Sequence, residues 1–354
     1  MQDINISNIQ ALEAMVHEAR KISIVTHQKP DGDAMGSSIA LYHYLKMCGK
    51  DSVRIILNDR YPGFLEFLSS DIPATDIILF QEMQETAEIL IQDSDLIFCL
   101  DFNAFHRADR MELPLTKSKA RKVLIDHHLN PDRNAFDLTF SETEISSASE
   151  LLYQILIRTS RIGMDATLLP SQASIALMTG MTTDTNNFGN STYPSTFLMA
   201  SDLLSAGVNR DEILSQLYSQ HSENRLRLMG HMMKDLLTIT EDGVAYIVLD
   251  RKTQEEYRIA EGDTEGFVNM PLSIADVRMS ILAKEDGEKI RISVRSRKGT
   301  SANECARRYF NGGGHENAAG GRLRIPEDVT GVDALAEYIE NKTHTYFESN
   351  NESN

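Results

Sequence analysis

Eight residues of the sequence have the types and spacing of a hydrolytic metal centre. His27, Asp31 and Asp33 follow the apolar run Ile22–Thr26, and Asp101 closes the run Leu96–Leu100. Asp126, His127 and His128 follow Val123–Ile125, and Asp184 stands in Thr183-Asp184-Thr185 after the helical segment Ile175–Met181. Taken singly, each has an ordinary reading. An aspartate after a strand caps a helix, Asp31-Gly32-Asp33 makes a turn, and a lone histidine sits on a surface. Taken together, they are too many for chance capping. Carboxylates and imidazoles without a thiolate suit Mn²⁺, Fe²⁺, Zn²⁺ or Mg²⁺; the carboxylate-rich set leans to Mn²⁺ or Mg²⁺, and the imidazoles favour Mn²⁺. The ligands suffice for two divalent cations about 3.5–4 Å apart, the arrangement that activates water against a phosphoester.

Such residues need a scaffold that brings them to one place. The first half alternates short apolar runs (Ile22–Val25, Val53–Leu57, Asp76–Phe80, Leu96–Leu100, Val123–Ile125) with helical patterns, one of them from near Met35 to Gly49. Continuous apolar runs are expected of strands covered on both faces, so the pattern predicts an α/β domain with a mainly parallel sheet flanked by helices. Ligands of such sheets sit outside the carboxyl ends of the strands, where three of the four acidic motifs fall. Ser7 and Gln10 fit a capping box at the start of a first helix. From about Ser147 the chain turns helical, with a further helix opened by Pro170. A smaller α+β domain follows, with Val244–Leu249, Val277–Ala283 and Ile290–Val294 as strands and a glycine-rich loop at Gly312–Gly314. The expected boundaries are 1–220 for the catalytic domain, 221–238 for a helical linker, 239–345 for a substrate-binding domain and 346–354 for a disordered tail.

Composition narrows the partners. The 354 residues carry 52 acidic against 35 basic side chains, a net charge of −17, which argues against a protein that coats long duplex nucleic acid. Bound dications reverse the local sign of a site, so a small anionic substrate remains open. The cysteines, Cys48, Cys99 and Cys305, are scattered and read as buried free thiols of a reducing, cytoplasmic compartment. No apolar segment is long enough to span a membrane, and the N-terminus has no signal-peptide pattern. The sequence does not fix the oligomeric state, a homodimer included.

The motifs His27-x-x-Pro-Asp-Gly-Asp-Ala-x-Gly-Ser, Asp101, Asp126-His127-His128 and Thr183-Asp184-Thr185 resemble, in that order, the DHH phosphoesterase superfamily over residues 20–190. Phe310-Asn-Gly-Gly-Gly-His-Glu-Asn-Ala-Ala-Gly320 resembles the DHH-associated substrate-binding domain, and the compact bacterial oligoribonuclease and pAp phosphatase type is the nearest likeness. The resemblance implies that His27, Asp31 and Asp101 hold one cation and that Asp33, Asp101, His127 and Asp184 hold the other. It also implies that Asp126 orients His127 and that His128 faces the scissile phosphate. Arg107 could reach a phosphate, although an exposed helix arginine is an equal reading. Lys289–Lys298 carries five basic residues and no acidic one. Alone it reads as a solvated strand face; beside the loop it reads as an anion site. Consecutive glycines let backbone N–H groups approach an anion, so Arg295, Gly313, Gly314 and His315 are the candidate substrate residues. The implied activity is Mn²⁺-dependent hydrolysis of short RNA, dinucleotides and pAp-like nucleotides. The alternatives weighed are a linear or cyclic dinucleotide (pApA, cyclic di-AMP) phosphodiesterase, a family-II pyrophosphatase, a RecJ-like exonuclease and a nucleotide sensor without turnover.

Overall fold

The computed structural model describes residues 4–219, 222–260 and 262–351. The chain divides into two compact units, Met1–Gln220 and His221–Asn354. The first runs α1 (Ile6–Glu18), β1 (Lys21–Thr26), α2 (Gly32–Met47), β2 (Ser52–Leu57), β3 (Ile77–Leu79), α3 (Gln84–Asp93), β4 (Leu96–Leu100), α4 (Glu112–Lys117), β5 (Arg121–Asp126) and β6 (Leu138–Ser141). The helices α5 (Ala148–Leu156), α6 (Ser171–Asp184), α7 (Pro194–Ser205) and α8 (Arg210–Tyr218) complete it. Its six strands are all parallel, in the order β3-β2-β1-β4-β5-β6. One face buries Ile24, Ile55, Phe98 and Val123 with Ile39 of α2 and Leu152 of α5. The other buries Val25, Ile56, Cys99 and Leu124 with Ile91 of α3 and Leu115 of α4. Covering on both faces explains why the central strands are mainly apolar.

Strand order reverses between β1 and β4, the place where an open α/β sheet leaves a crevice at its carboxyl edge. Thr26 pairs with Leu100 and Leu100 with Ile125, so His27, Asp101 and Asp126 occupy adjoining rows. Two helix ends complete the edge. The expected helix from Met35 begins earlier, at Gly32, because Asp31 caps it by accepting from Asp33 N and Ala34 N at 3.0 and 3.1 Å. Asp33 therefore lies in a helical first turn rather than a loop. Helices α2 and α6 touch through bare backbone. A Cβ at Gly36 would lie 2.6 Å from Ala176 O and 2.8 Å from Gly180 Cα, and one at Gly180 would lie 2.0 Å from Ser149 Oγ.

The first helix is capped by Asn5, which accepts from Asn8 N, and not by the expected Ser7–Gln10 box. The helix already starts at Ile6, so Ser7 lies inside it. Cys99 and Cys305 are buried and Cys48 is half-buried, all three without a disulfide. Among the described residues no helix is long and apolar enough to cross a membrane.

The second unit runs α9 (Glu223–His231), β7 (Thr238–Ile239), β8 (Val244–Leu249), α10 (Arg251–Glu256), β9 (Met279–Asp286), β10 (Lys289–Ser296), α11 (Ala302–Tyr309), β11 (Gly313–Gly314), β12 (Ala318–Arg324) and α12 (Leu335–Asn351). Its sheet is mixed, with order β11-β12-β10-β9-β8-β7 and only β8 and β9 parallel. Leu228 of α9 and the following Met232 pack on Ile247, Leu249 and Phe267, so the segment expected as a linker is part of this unit's core. The tail expected to be disordered from 346 differs too. Helix α12 extends to Asn351, held by Tyr346 and Phe347 in the core with Ile339 and Leu335. Residues 352–354 lie outside the described residues.

Candidate metal centre

Each ligand candidate is positioned by a strand or helix end. His27 leaves β1, and its Nδ1 meets the Gln28 carbonyl at 2.8 Å. That contact turns Nε2 inward, 3.4 Å from Asp101 Oδ2 and 3.8 Å from Asp31 Oδ1. The neighbouring amide, Gln28 N, donates to Arg107 O at 2.8 Å, which places Arg107 on the loop beside His27. Asp101 leaves β4 with φ +61°, a left-handed conformation that costs a non-glycine residue free energy and recurs at functional sites. Asp101 is 2% exposed, and among the described residues its buried Oδ1 has no hydrogen-bond partner.

His127 brings Nε2 to 3.4 Å from Asp101 Oδ1, 3.6 Å from Asp184 Oδ2 and 4.0 Å from Asp33 Oδ2. Asp33 is buried at the start of α5, where it accepts from Ala148 N and Ser149 N at 2.6 and 2.9 Å. These ties fix a ligand of α2 to the end of another helix. Three sets of ligand atoms, each within 4.8 Å of one another, share Asp101: with His27 and Asp31, with Asp33 and His127, and with Asp126 and His128.

Asp126, which the resemblance implies to orient His127, meets His128. Asp126 is fully buried at the end of β5, and its Oδ1 accepts from His128 Nδ1 at 2.7 Å while its Oδ2 accepts from His128 N at 3.1 Å. The carboxylate turns back on the residue two positions on, because the chain bends at the strand end. The two imidazoles stand edge to face, 4.9 Å between centroids. A residue that the motifs did not single out joins the two loops. Asn103 Nδ2 donates to Leu129 O at 2.7 Å and Asn103 O accepts from Asp132 N at 2.9 Å, so the Asp101 loop and the His127–His128 loop are tied together.

The electrostatics call for positive charge. Two unit charges about 4 Å apart at a protein surface interact by about 4 kcal/mol, and Asp33, Asp101 and Asp184 surround the same imidazole. Burial, then Asp101 and Asp184, push the Asp33 carboxyl well above its usual range, and burial with Asp101 lifts Asp184 to about 7. Burial opposes charge on His127 and His27 as well. The carboxylates prevail there, raising His127 to about 10 and His27 well above its usual value. For Asp101 the two histidines overcome burial and hold its carboxyl far below the usual range. An orphaned carboxylate oxygen, inward-facing imidazole nitrogens and an all-oxygen-and-nitrogen donor set fit divalent cations.

In the second unit the glycine loop differs from the anion cradle expected. The N–H of Gly312 donates to Ala306 O at 3.2 Å, that of Gly314 to Asn303 Oδ1 at 3.0 Å and that of His315 to Ala318 O at 2.8 Å. Those three amides are spent inside the unit. The glycines serve close pairing instead: a Cβ at Gly312 would lie 1.8 Å from Gly320 O, and Gly314 has φ +155°. Of the other two candidates, His315 stands in the loop and Arg295 on β10. Arg295 Nη1 is held by Val294 O at 3.0 Å and Ala319 O at 3.4 Å. Arg297 belongs to the scaffold, clamping the carbonyls of Leu272, Ile274 and Ala275 at 2.7–3.0 Å.

Residues 21–181 match the family model described as DHH family, N-terminal domain, and residues 229–342 match the DHHA1 domain. An exopolyphosphatase-related protein from Bacteroides fragilis superposes with TM-score 0.88 at 37% identity, covering 98% of each chain. The bifunctional oligoribonuclease and PAP phosphatase NrnA of Bacillus subtilis is 27% identical over 84% of this chain and 87% of its own. The protein of the same name from Thermus thermophilus is 27% identical over 86% of this chain and 84% of its own. With both domains matched in order and the ligand candidates gathered at the strand-order reversal, the chain belongs to the DHH family of phosphoesterases, its second unit carrying a DHHA1 domain.

Proposed function

We propose that the chain hydrolyses short oligoribonucleotides to mononucleotides and removes phosphate from pAp-like nucleotides, using two divalent cations, Mn²⁺ above Mg²⁺. The relatives named for oligoribonuclease and PAP phosphatase activity support the substrate class. The observation that carries the chemistry is Asp101, buried between the imidazoles of His27 and His127 with one oxygen toward each. His27, Asp31 and Asp101 would hold one cation; Asp33, Asp101, His127 and Asp184 would hold the other. When bound, such a pair neutralises phosphate oxygens and lowers the pKa of an attacking water.

His128 is assigned to the substrate. Asp126 Oδ1 accepts from its Nδ1 at 2.7 Å, which leaves Nε2 as the ring atom for the substrate. The ring then stabilises phosphoryl charge or gives its proton to the leaving oxygen. Arg107, Arg295 and His315, with Gly313 and Gly314 shaping the last, are assigned to the substrate's phosphates and sugar. A panel of pAp, pApA, cyclic di-AMP, pyrophosphate and RNA of about two to twenty nucleotides, with Mn²⁺ and with a chelator, tests the reading. Turnover should be fastest on pAp, pApA and the shortest RNAs and vanish with the chelator. Preference for cyclic di-AMP or pyrophosphate, or turnover with the chelator present, would refute it.

A further inference from the structure

Glu150 is a buried carboxylate that belongs to none of the ligand sets. All nine residues of α5 are buried, and Glu150 has no exposed surface. Among the described residues no cationic side chain pairs with it. Burying a carboxylate without a counter-charge costs stability, so its worth lies in what it holds in place. Its Oε2 accepts from Ser146 N at 3.2 Å, from Ser146 Oγ, and from Thr196 Oγ1 at 2.7 Å. Its Oε1 is buried and has no hydrogen-bond partner among the described residues. Glu150 stands at the third position of α5, where a capping box would turn the side chain back on the N–H of the cap, Ser147. Here it reaches one residue further back, to Ser146, and across to the first turn of α7.

Both tethers lead to ligand candidates of the same cation. On the α5 side, Ser146 adjoins Ser147, whose Oγ accepts from Glu150 N at 3.0 Å. The two amides in between, Ala148 N and Ser149 N, are those that hold Asp33 at 2.6 and 2.9 Å. On the α7 side, Thr196 Oγ1 also accepts from Tyr193 N at 3.1 Å and so closes the start of that helix. The loop between Asp184 and Tyr193 is tightly wound. Gly189 N and Asn190 N both donate to Thr185 O, at 2.8 and 3.0 Å. Asn186, Asn187 and Phe188 have φ of +47°, +58° and +65°. Left-handed residues other than glycine persist only where their surroundings over-determine them. One end of this loop is Asp184, and the other is tied to Glu150.

We propose that Glu150 is a positioning residue for one of the two cations, the one assigned to Asp33, Asp101, His127 and Asp184. The inference rests on the two-cation reading and adds the buried anchor that holds the supports of Asp33 and Asp184 in register. Hydrogen bonds to a carboxylate are charge-assisted and short, and bonds one step behind the ligands tune metal affinity. The other cation has separate supports: His27 is turned by the Gln28 carbonyl, and Asp31 caps α2. The anchor therefore acts on one cation and not on both.

The test uses the full chain with Glu150→Met, Glu150→Gln and Thr196→Val. Mn²⁺ binding is followed by the paramagnetic resonance of the free ion, and amide hydrogen exchange is measured in chelator. Glu150→Met keeps the bulk and removes the acceptor; it should weaken one Mn²⁺ by about 10–100-fold and leave the other nearly unchanged. Combined with Asp31→Ala, it should weaken the ion that remains. Combined with Asp184→Ala, it should change nothing further. Glu150→Gln keeps an accepting oxygen and should recover most of the loss. Thr196→Val removes one donor and should weaken the same ion by less; it decides the matter if Glu150→Met does not fold. In chelator, Glu150→Met should speed exchange at residues 146–149 and 185–193. Equal weakening of both ions, unchanged binding in folded Glu150→Met or in Thr196→Val, or Glu150→Gln as damaging as Glu150→Met would overturn the proposal. An unaltered protein that binds no Mn²⁺ would bring down the two-cation reading. Exchange that stays slow in those two segments of Glu150→Met would bring down the anchor.

Discussion

At the scale of single residues, the consecutive histidines have separable work. His127 points Nε2 at Asp101, Asp184 and Asp33, whereas His128 is tied back to Asp126. His127→Ala should therefore lower the Mn²⁺ retained per chain. His128→Ala should keep the metal and slow turnover by about 100-fold or more. Asp126→Asn should also keep it and slow turnover by about 10–100-fold. Metal analysis beside single-turnover rates checks all three. Loss of metal from His128→Ala with full occupancy in His127→Ala would reverse the assignment. Most of this set was legible in the sequence, because each ligand stands where an apolar run stops and little but a site needs so many acidic and imidazole groups there. The partner of Asp126 was not. Adjacency in sequence leaves open which of two neighbouring rings a strand-end carboxylate meets, and the bend after β5 decides it. Asn103 was equally silent, since its task is to join two loops that only the sheet brings together.

At the scale of elements, the precision of the site depends on how closely α2 and α6 approach. Gly36 faces the Ala176 carbonyl and Gly180, so an added methyl meets backbone that cannot rotate away. Gly36→Ala should cost about 1–3 kcal/mol by overpacking and weaken Mn²⁺ binding, because α2 carries Asp33 and α6 carries Asp184. Gly230→Ala is the control: its Cβ would meet nothing within 4 Å, and inside α9 it should be neutral or stabilise by up to about 1 kcal/mol. Urea unfolding and Mn²⁺ titration of both variants check this. Unchanged stability and affinity in Gly36→Ala would show that the helices can separate without moving the ligands. The strands β1, β2, β4 and β5 could be read from their apolar runs. The β11–β12 hairpin could not, since Ala318-Ala-Gly-Gly321 carries no alternation and glycine signals a loop as readily as close pairing. The last turns of α12 were hidden by their polar composition, although Ile339, Thr343, Tyr346 and Phe347 keep helical spacing and are buried.

At the scale of the whole molecule, charge is unevenly spent. A chain with net charge −17 repels polyanions over most of its surface, so a phosphorylated substrate gains only where cations are gathered. In the first unit that place is a buried carboxylate cluster that calls for dications. In the second it is the cationic face of β10. On the proposed function, that acidity would favour short substrates and make the metal centre the source of both affinity and chemistry. Asp101 is the point on which the proposed chemistry turns, because the His27–Asp31, Asp33–His127 and Asp126–His128 groupings share it. The decisive measurement is Mn²⁺ stoichiometry together with pApA hydrolysis in the unaltered protein and in Asp101→Asn. The unaltered protein should bind about two Mn²⁺ per chain. Asp101→Asn should lose more than about 100-fold in rate together with at least one ion. Full activity of Asp101→Asn, or an unaltered protein that hydrolyses pApA with no bound dication, would contradict the two-cation centre.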